Sequence, residues 1–452
     1  MTASAEAASP LDTGFFGHPR GLSTLFFTEM WERFSYYGMR AFLILYMVAP
    51  VASGGLGFTD ARAASIYGTY TGSAWAASIF GGLIADRVLG QYNTVLVGGI
   101  IIAAGHFTLA FKSLTSFYAG LALIVAGTGC LKPNVSTLVG SLYPQGDRRR
   151  DAGFSIFYMG INLGATLGPL IAGYLAQNVN WHIGFACAGV GMAFGVVQYV
   201  LGRGRLKHGI ARLGQKPQVP TADTSAARRT AEVRHGLSVD EWKRIAAIVL
   251  FFLAAVVFWG AYEQAGSTLN LFADRYTRLS MFGIAFPSSW LQSVQPICVI
   301  ILAPVFGWLW VRLGRREPSV PAKFALGLLF MGLAFAILIP AGAMAQSGAG
   351  IRVSPWFLIW SYVVSELGEL CISPIGLSAV TKLAPLRIVG LMMGVWFLSN
   401  AFGDKLAGSA AGFFSTVPLH DLFREVTIVL FITAAVMFVL IKPIRRLMVG
   451  VD

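Results

Sequence analysis

Residues 202–244 read GRGRLKHGIARLGQKPQVPTADTSAARRTAEVRHGLSVDEWKR, the longest polar stretch in a chain of 452 residues that is 56% hydrophobic. Ten bases (Arg203, Arg205, Lys207, Arg212, Lys216, Arg228, Arg229, Arg234, Lys243, Arg244) face four acids (Asp223, Glu232, Asp240, Glu241) in it. On each side the sequence breaks into six apolar runs long enough to cross a hydrocarbon core of roughly 30 Å. The first six fall near 22–49, 63–89, 94–111, 116–142, 152–176 and 181–201, and the second six near 245–272, 288–313, 323–345, 355–384, 389–414 and 426–441. The expected organisation is therefore an all-α membrane protein: a tail (1–21), a six-helix bundle (22–201), a basic linker (202–244), a second six-helix bundle (245–441) and a tail (442–452).

Charge excludes other classes. Asp, Glu, Lys and Arg make up 12% of the chain, about half of what soluble domains carry. The net charge of +13 does not call for a nucleic-acid partner, because bases concentrated in cytoplasmic loops orient membrane proteins. Arg148, Arg149 and Arg150, then Arg312, Arg315 and Arg316, then Lys442, Arg445 and Arg446 fall on the linker's side, whereas VASGGLGFTD and QNVNW on the other side carry almost no base. Both termini are expected in the cytoplasm of a bacterial inner membrane. The four cysteines stand in apolar runs without paired or ligand spacing, so neither disulfides nor metal are expected. The sequence has no nucleophile–base spacing, which argues against an enzyme.

Charges inside the spans are costly and mark function. The first span holds Glu29, Glu32, Arg33, Tyr36, Tyr37 and Arg40 within one broad helical face that must look inward. Glu29 and Arg33 stand at the i, i+4 spacing of an ion pair. Lys132, Glu263, Glu366, Glu369, Asp404 and Lys405 lie in later spans. At about 1.5 Å per residue, Arg40 and Glu263 each lie roughly 27 Å from the cytoplasmic start of their spans, and Lys132 and Glu369 roughly 24 Å from the outer ends of theirs.

Two sixes about a basic linker resemble the major facilitator superfamily, and GGLIADRVLG (81–90) resembles its motif between helices 2 and 3, which gives Asp86 and Arg87 a bracing role. The first span's TEMWERFSYYGMRAFLILYM resembles the ExxER signature of the proton-dependent oligopeptide transporter family. GTGCLKPNVSTLVG (127–140), FSIFYMGINLGA (154–165), FWGAYEQAGSTLNLFAD (258–274) and GELCISPIGLS (368–378) resemble its segments in order.

The resemblance implies symport of dipeptides and tripeptides with protons, with no cofactor beyond the coupling proton, by a protein working as a monomer. Carried over by position, Arg33 and Lys132, assisted by Tyr37, would hold the peptide carboxylate. Asn162 and Glu369 would hold the amino terminus, with Ser373 beside them, and Tyr36, Tyr70 and Trp396 would line side-chain pockets. Proton coupling would run through Glu29, Glu32 and Glu263, and the gates would be Arg40–Glu263 outside and Lys132–Glu369 inside. No histidine lies between Arg62 and Gly90, so carboxylates must carry the coupling. One departure is Gln295 before Pro296, where the family usually has Asn and where the amide would still contact the peptide's amino terminus; another is Asp404, at a position expected to hold an amide, with Lys405 beside it to neutralise it. The rival readings are an exporter of amphiphiles, a nitrate carrier and a non-transporting peptide sensor.

Overall fold

The structure, a computed structural model, describes residues 12–144, 147–214, 237–348, 350–385 and 388–450. The expected tail at 1–11 and the linker charges Lys216, Asp223, Arg228, Arg229, Glu232 and Arg234 lie outside the described residues.

Twelve helical spans fill the described chain. They are α1 (Arg20–Val48), α2 (Asp60–Ile84, continued by a wide turn Ala85–Leu89), α3 (Gly90–Leu109), α4 (Leu114–Ser141), α5 (Arg150–Asn178) and α6 (Trp181–Leu201), then α7 (Val239–Tyr276), α8 (Ser288–Arg316), α9 (Val320–Ala345), α10 (Trp356–Leu383), α11 (Val389–Ala411) and α12 (Leu419–Leu447). Nine helical stretches among the described residues are apolar and long enough to cross a membrane, and one of them, Asp60–Leu109, contains both α2 and α3. The remaining two spans are α1 and α11, each of which carries charged residues inside it.

Local chemistry sets the ends. Helix α1 runs between Pro19 and Pro50, because proline is disfavoured inside a helix and restricts the residue before it. Helix α7 starts six residues earlier than hydropathy suggests, at a reciprocal cap: Glu241 N–H donates to Ser238 Oγ at 3.2 Å and Ser238 N–H to the Glu241 carboxylate at 2.7 Å. Helix α12 likewise begins at Leu419 rather than near 426. Helices α2 and α3 meet at Gly90, whose φ of 72° glycine tolerates without strain. Part of the stretch expected to be linker folds as a helix, Arg203–Gly214. Its Leu206 is buried, and its Arg212 donates to the carbonyls of Ser141 and Leu142.

Two bundles result. Within the first, α3 packs on α4 and α1 on α5 and α6; within the second, α9 packs on α10 and α12, and α7 on α11. The bundles meet along α2–α11 and α5–α8. The α2–α11 crossing is close because Gly68 faces Gly408: a Cβ on Gly68 would stand 2.7 Å from the Asp404 carbonyl oxygen and 2.8 Å from Gly408 Cα.

Among the described residues, hydrogen bonds and ion pairs between the bundles fall in the half of the molecule away from the termini. Asn270 Nδ2 donates to Ala41 O at 2.7 Å. Arg275 binds Asp60 through two hydrogen bonds of 2.7 Å, and the Ser415 hydroxyl donates to the same carboxylate. Gln177 bonds Ser288 Oγ and the Ser289 amide, while Trp290 Nε1 and Ser293 Oγ donate to the carbonyls of Leu170 and Thr166. This end is sealed.

Candidate functional site

Between the bundles lies a cavity of about 1300 Å³, mouth included. On the α1 side it is lined by Glu29, Arg33, Tyr37 and Arg40, which follow at steps of four, four and three and so form one narrow stripe. Glu32 and Tyr36, expected on the same face, flank that stripe: both are buried, neither reaches the cavity, and the Arg33 guanidinium stands 5.3 Å from the centre of the Tyr36 ring.

Arg33 is the centre of the first charged group. Its Nε pairs with Glu29 at 3.2 Å and also with Glu32. Lys132 enters from α4 at the turn before Pro133, and its ammonium lies over the Trp75 ring, 2.9 Å from the centroid. Burying a cation against an aromatic face offsets part of its lost hydration. The second charged group comes from the other bundle, where Glu369 on α10 lines the cavity with Ser373 one turn on, leaving one carboxylate oxygen without a hydrogen bond. Asn162 on α5 donates its amide nitrogen to the Tyr158 carbonyl at 3.0 Å, so Oδ1 remains an acceptor for a guest. Gln295 lines the cavity from α8 and donates to Ser365 Oγ at 3.4 Å. Trp396 lines it from α11.

At the sealed end Arg40 pairs with Glu263 and also donates to Tyr67 Oη at 2.5 Å. Glu263 sits where α7 changes from regular helix to the tighter turn Glu263–Gly266, which turns its carboxylate toward α1.

Several expected contacts are not made in this conformation. Lys132 and Glu369 line the same cavity and form no ion pair with each other; the cation rests on Trp75 instead. Tyr70 is buried and stacks on Tyr36 with centroids 6.5 Å apart, behind the cavity wall rather than in it. Asp86 and Arg87, expected to brace the terminal side, form no ion pair among the described residues: both are exposed beside Gly90, and Asp86 accepts from Gln91 Nε2 at 3.0 Å. Lys405 does not neutralise Asp404, since it donates to Thr69 Oγ1 at 2.8 Å while Asp404 stays buried.

The cavity also takes Trp75, Tyr158, Trp259, Tyr262, Gln292 and Asn400, none of them singled out from sequence. Three stand one turn from a predicted residue: Tyr158 before Asn162, Trp259 before Glu263 and Asn400 after Trp396. That spacing was the available signal. Trp75 gave none, because its partner Lys132 arrives from a different helix.

The resulting site carries Arg33, Arg40, Lys132 and Glu29 on one bundle and Glu263 and Glu369 on the other, with aromatic walls between them; Arg40 and Glu263 are spent on each other, and Glu369 has no cationic partner within 4 Å among the described residues. Such a site can bind a short guest with opposite charges at its two ends, because arginine presents a fork matched to a carboxylate and aromatic rings supply apolar area with polar edges.

The chain matches the POT family over residues 92–217 and 218–429. The transporter YclF of Bacillus subtilis (strain 168), described as uncharacterized, is 41% identical over 481 residues, 97% of this chain and 96% of its own. Peptide transporter YePEPT of Yersinia enterocolitica subsp. palearctica is 38% identical over 493 residues, 96% of both chains. A di-/tripeptide transporter of Lactococcus lactis subsp. cremoris is 36% identical over 488 residues, 96% of this chain and 97% of its own. The crystal structure of a peptide transporter POT in complex with sulfate superposes with a TM-score of 0.89 at 40% identity, covering 98% of both chains. Spans, cavity and these matches agree over nearly the whole length, and the chain belongs to the POT family, on the major facilitator superfamily fold.

Proposed function

We propose that this protein carries dipeptides and tripeptides into the bacterial cytoplasm together with protons, by alternating access, with both termini on the cytoplasmic side of the inner membrane. The observation that carries the reading is the placement of the cavity's charges: Arg33 and Lys132 on the first bundle, Glu369 on the second. A peptide zwitterion spans the two, its carboxylate on Arg33 and Lys132 with Tyr37 assisting, its ammonium on Glu369 and Asn162 Oδ1. Ser373 and Gln295 offer further polar contacts beside the ammonium. Trp396 meets side chains from the wall, and Tyr36 and Tyr70 support that wall from behind. Relatives named as peptide and di-/tripeptide transporters support the substrate class.

Bridging both bundles couples binding to their relative motion. The sealed distal end, with Arg40 on Glu263, supports an inward-facing state in which Lys132 and Glu369 are apart. Closing the other end brings those two together and engages Asp86 and Arg87. Protonating Glu263 removes its charge and frees Arg40, since a neutral carboxyl holds a guanidinium far less strongly. Glu29 and Glu32 compete with the peptide carboxylate for Arg33, so protonating them favours peptide binding. No cofactor enters this cycle, and one chain contains the whole site.

The test is uptake of labelled dialanine by liposomes containing the purified protein, with and without an inward proton gradient. The expected result is gradient-dependent uptake, competed by dipeptides and not by free alanine. Folded protein that shows no gradient-driven uptake overturns the reading and moves weight to a nitrate carrier or an exporter.

A further inference from the structure

A second pocket opens on the terminal side of the second bundle, formed where the α8–α9 connection, the end of α10 and the end of α12 converge. Arg315, Lys323, Lys382 and Arg445 line it, and Glu317 is its one carboxylate. Glu317 is already committed, because it pairs with the ammonium of Lys323, which is only 4% exposed. Arg315, Lys382 and Arg445 are exposed and form no ion pair within 4 Å among the described residues. Each comes from a different element, so their convergence is a product of the fold. Ser319, at the start of α9, makes no side-chain cap and lines the same pocket with Val320, whose amide is left as a donor for an anion, Pro321 having none.

The surroundings fix the depth. Trp310 lies 4.4 Å from the Lys323 ammonium, and Trp308, 59% exposed, carries Arg312 at 5.2 Å from its ring. Tryptophan and arginine on a bundle's outer surface mark the level of lipid headgroups. Val320, Ile375 and Ala379 add apolar side chains to the mostly polar lining of the pocket.

The geometry points to a binding site for a phosphate monoanion, supplied by the headgroup of an anionic phospholipid such as phosphatidylglycerol. Charges that only oriented the chain in the membrane would need neither a walled pocket nor three converging elements. A free phosphate would need neither Trp308 and Trp310 nearby nor the apolar side chains in the lining. The lipid holds α9, α10 and α12 together at that end of the bundle.

The test uses the full-length protein in neutral detergent, titrated separately with phosphatidylglycerol, phosphatidylcholine and inorganic phosphate, with retained lipid counted by native mass spectrometry. One phosphatidylglycerol is expected to bind about tenfold more tightly than phosphatidylcholine. In the double variant Lys382→Gln, Arg445→Gln this preference is lost. In Arg148→Gln, Lys207→Gln, which removes two exposed bases from the first bundle and the linker helix beside it, it is kept. Melting temperatures accompany both variants, and if the first pair destabilises the fold, the single variant Arg315→Gln repeats the measurement, with reduced preference expected. An equal loss in both double variants would mean a diffuse surface field and overturn the site. Wild type without a headgroup preference overturns it as well, as does displacement of the lipid by an equal concentration of inorganic phosphate.

Discussion

Glu263 and Arg40 form the buried pair at the sealed end, and Arg33 sits between two glutamates in the cavity. Replacing Glu263 by Gln keeps the shape and removes the titratable charge. On the proposed cycle, Glu263→Gln abolishes gradient-driven accumulation in liposomes and leaves peptide exchange across the membrane in place. Accumulation that still follows an imposed gradient would remove Glu263 from the coupling route. At Arg33 the charge alone is not enough, because a fork is matched to a carboxylate and an ammonium is not. Arg33→Lys is therefore expected to raise the KM for dialanine about tenfold, while the α-amide of the same peptide, which lacks the carboxylate, shows little difference between wild type and variant. Lys132 rests on Trp75 without an anionic partner within 4 Å, so Lys132→Gln breaks no direct ion pair. Its KM is expected to rise with little change in melting temperature. These residues were legible in the sequence because charge inside an apolar span is expensive enough to stand out. Tyr158, Trp259 and Tyr262 were not, since a tyrosine or tryptophan in such a span most often packs or anchors.

Helices here are set by capping and by glycine as much as by hydropathy. The Ser238–Glu241 cap extends α7 beyond its apolar run, and its sequence, SVDE, was readable. The amphipathic helix Arg203–Gly214 was hidden in a composition that looked like linker; only Leu206, Ile210 and Leu213, spaced four and three apart, showed a common face. At the α2–α11 crossing, Gly68→Ala pushes a methyl against backbone of the facing helix. Backbone cannot rotate away as a side chain can, so the helices must separate, at about 1–3 kcal/mol. The measurement is the melting temperature of purified Gly68→Ala against wild type; an unchanged value would show that the crossing has slack. Glycines at this spacing were visible in the sequence. Which helix they face was not.

At the scale of the whole molecule, the two bundles are held at the distal end by a few polar contacts, of which Arg275 to Asp60 is the most directed. Asp60→Asn weakens both hydrogen bonds and is expected to increase the fraction of molecules open at that end. With a cysteine introduced at Gln292, which lines the cavity, labelling by a membrane-impermeant maleimide from outside should speed up about threefold, as a conformer bias of under 1 kcal/mol allows. Labelling at the wild-type rate would mean that Asp60 contributes nothing to the seal. The sequence by itself determined the class of protein, the number of spans, the two bundles and the cavity's six charged residues. Those follow from hydropathy and from the cost of intramembrane charge, both of which are local properties of the chain. Only the tertiary structure decided which of the expected pairs are made. Arg40 meets Glu263 across 223 residues of sequence, Lys132 settles on Trp75 instead of Glu369, Tyr70 withdraws behind Tyr36, and Lys405 turns to Thr69. Each of these depends on the approach and rotation of helices distant in the chain, which a periodicity cannot encode.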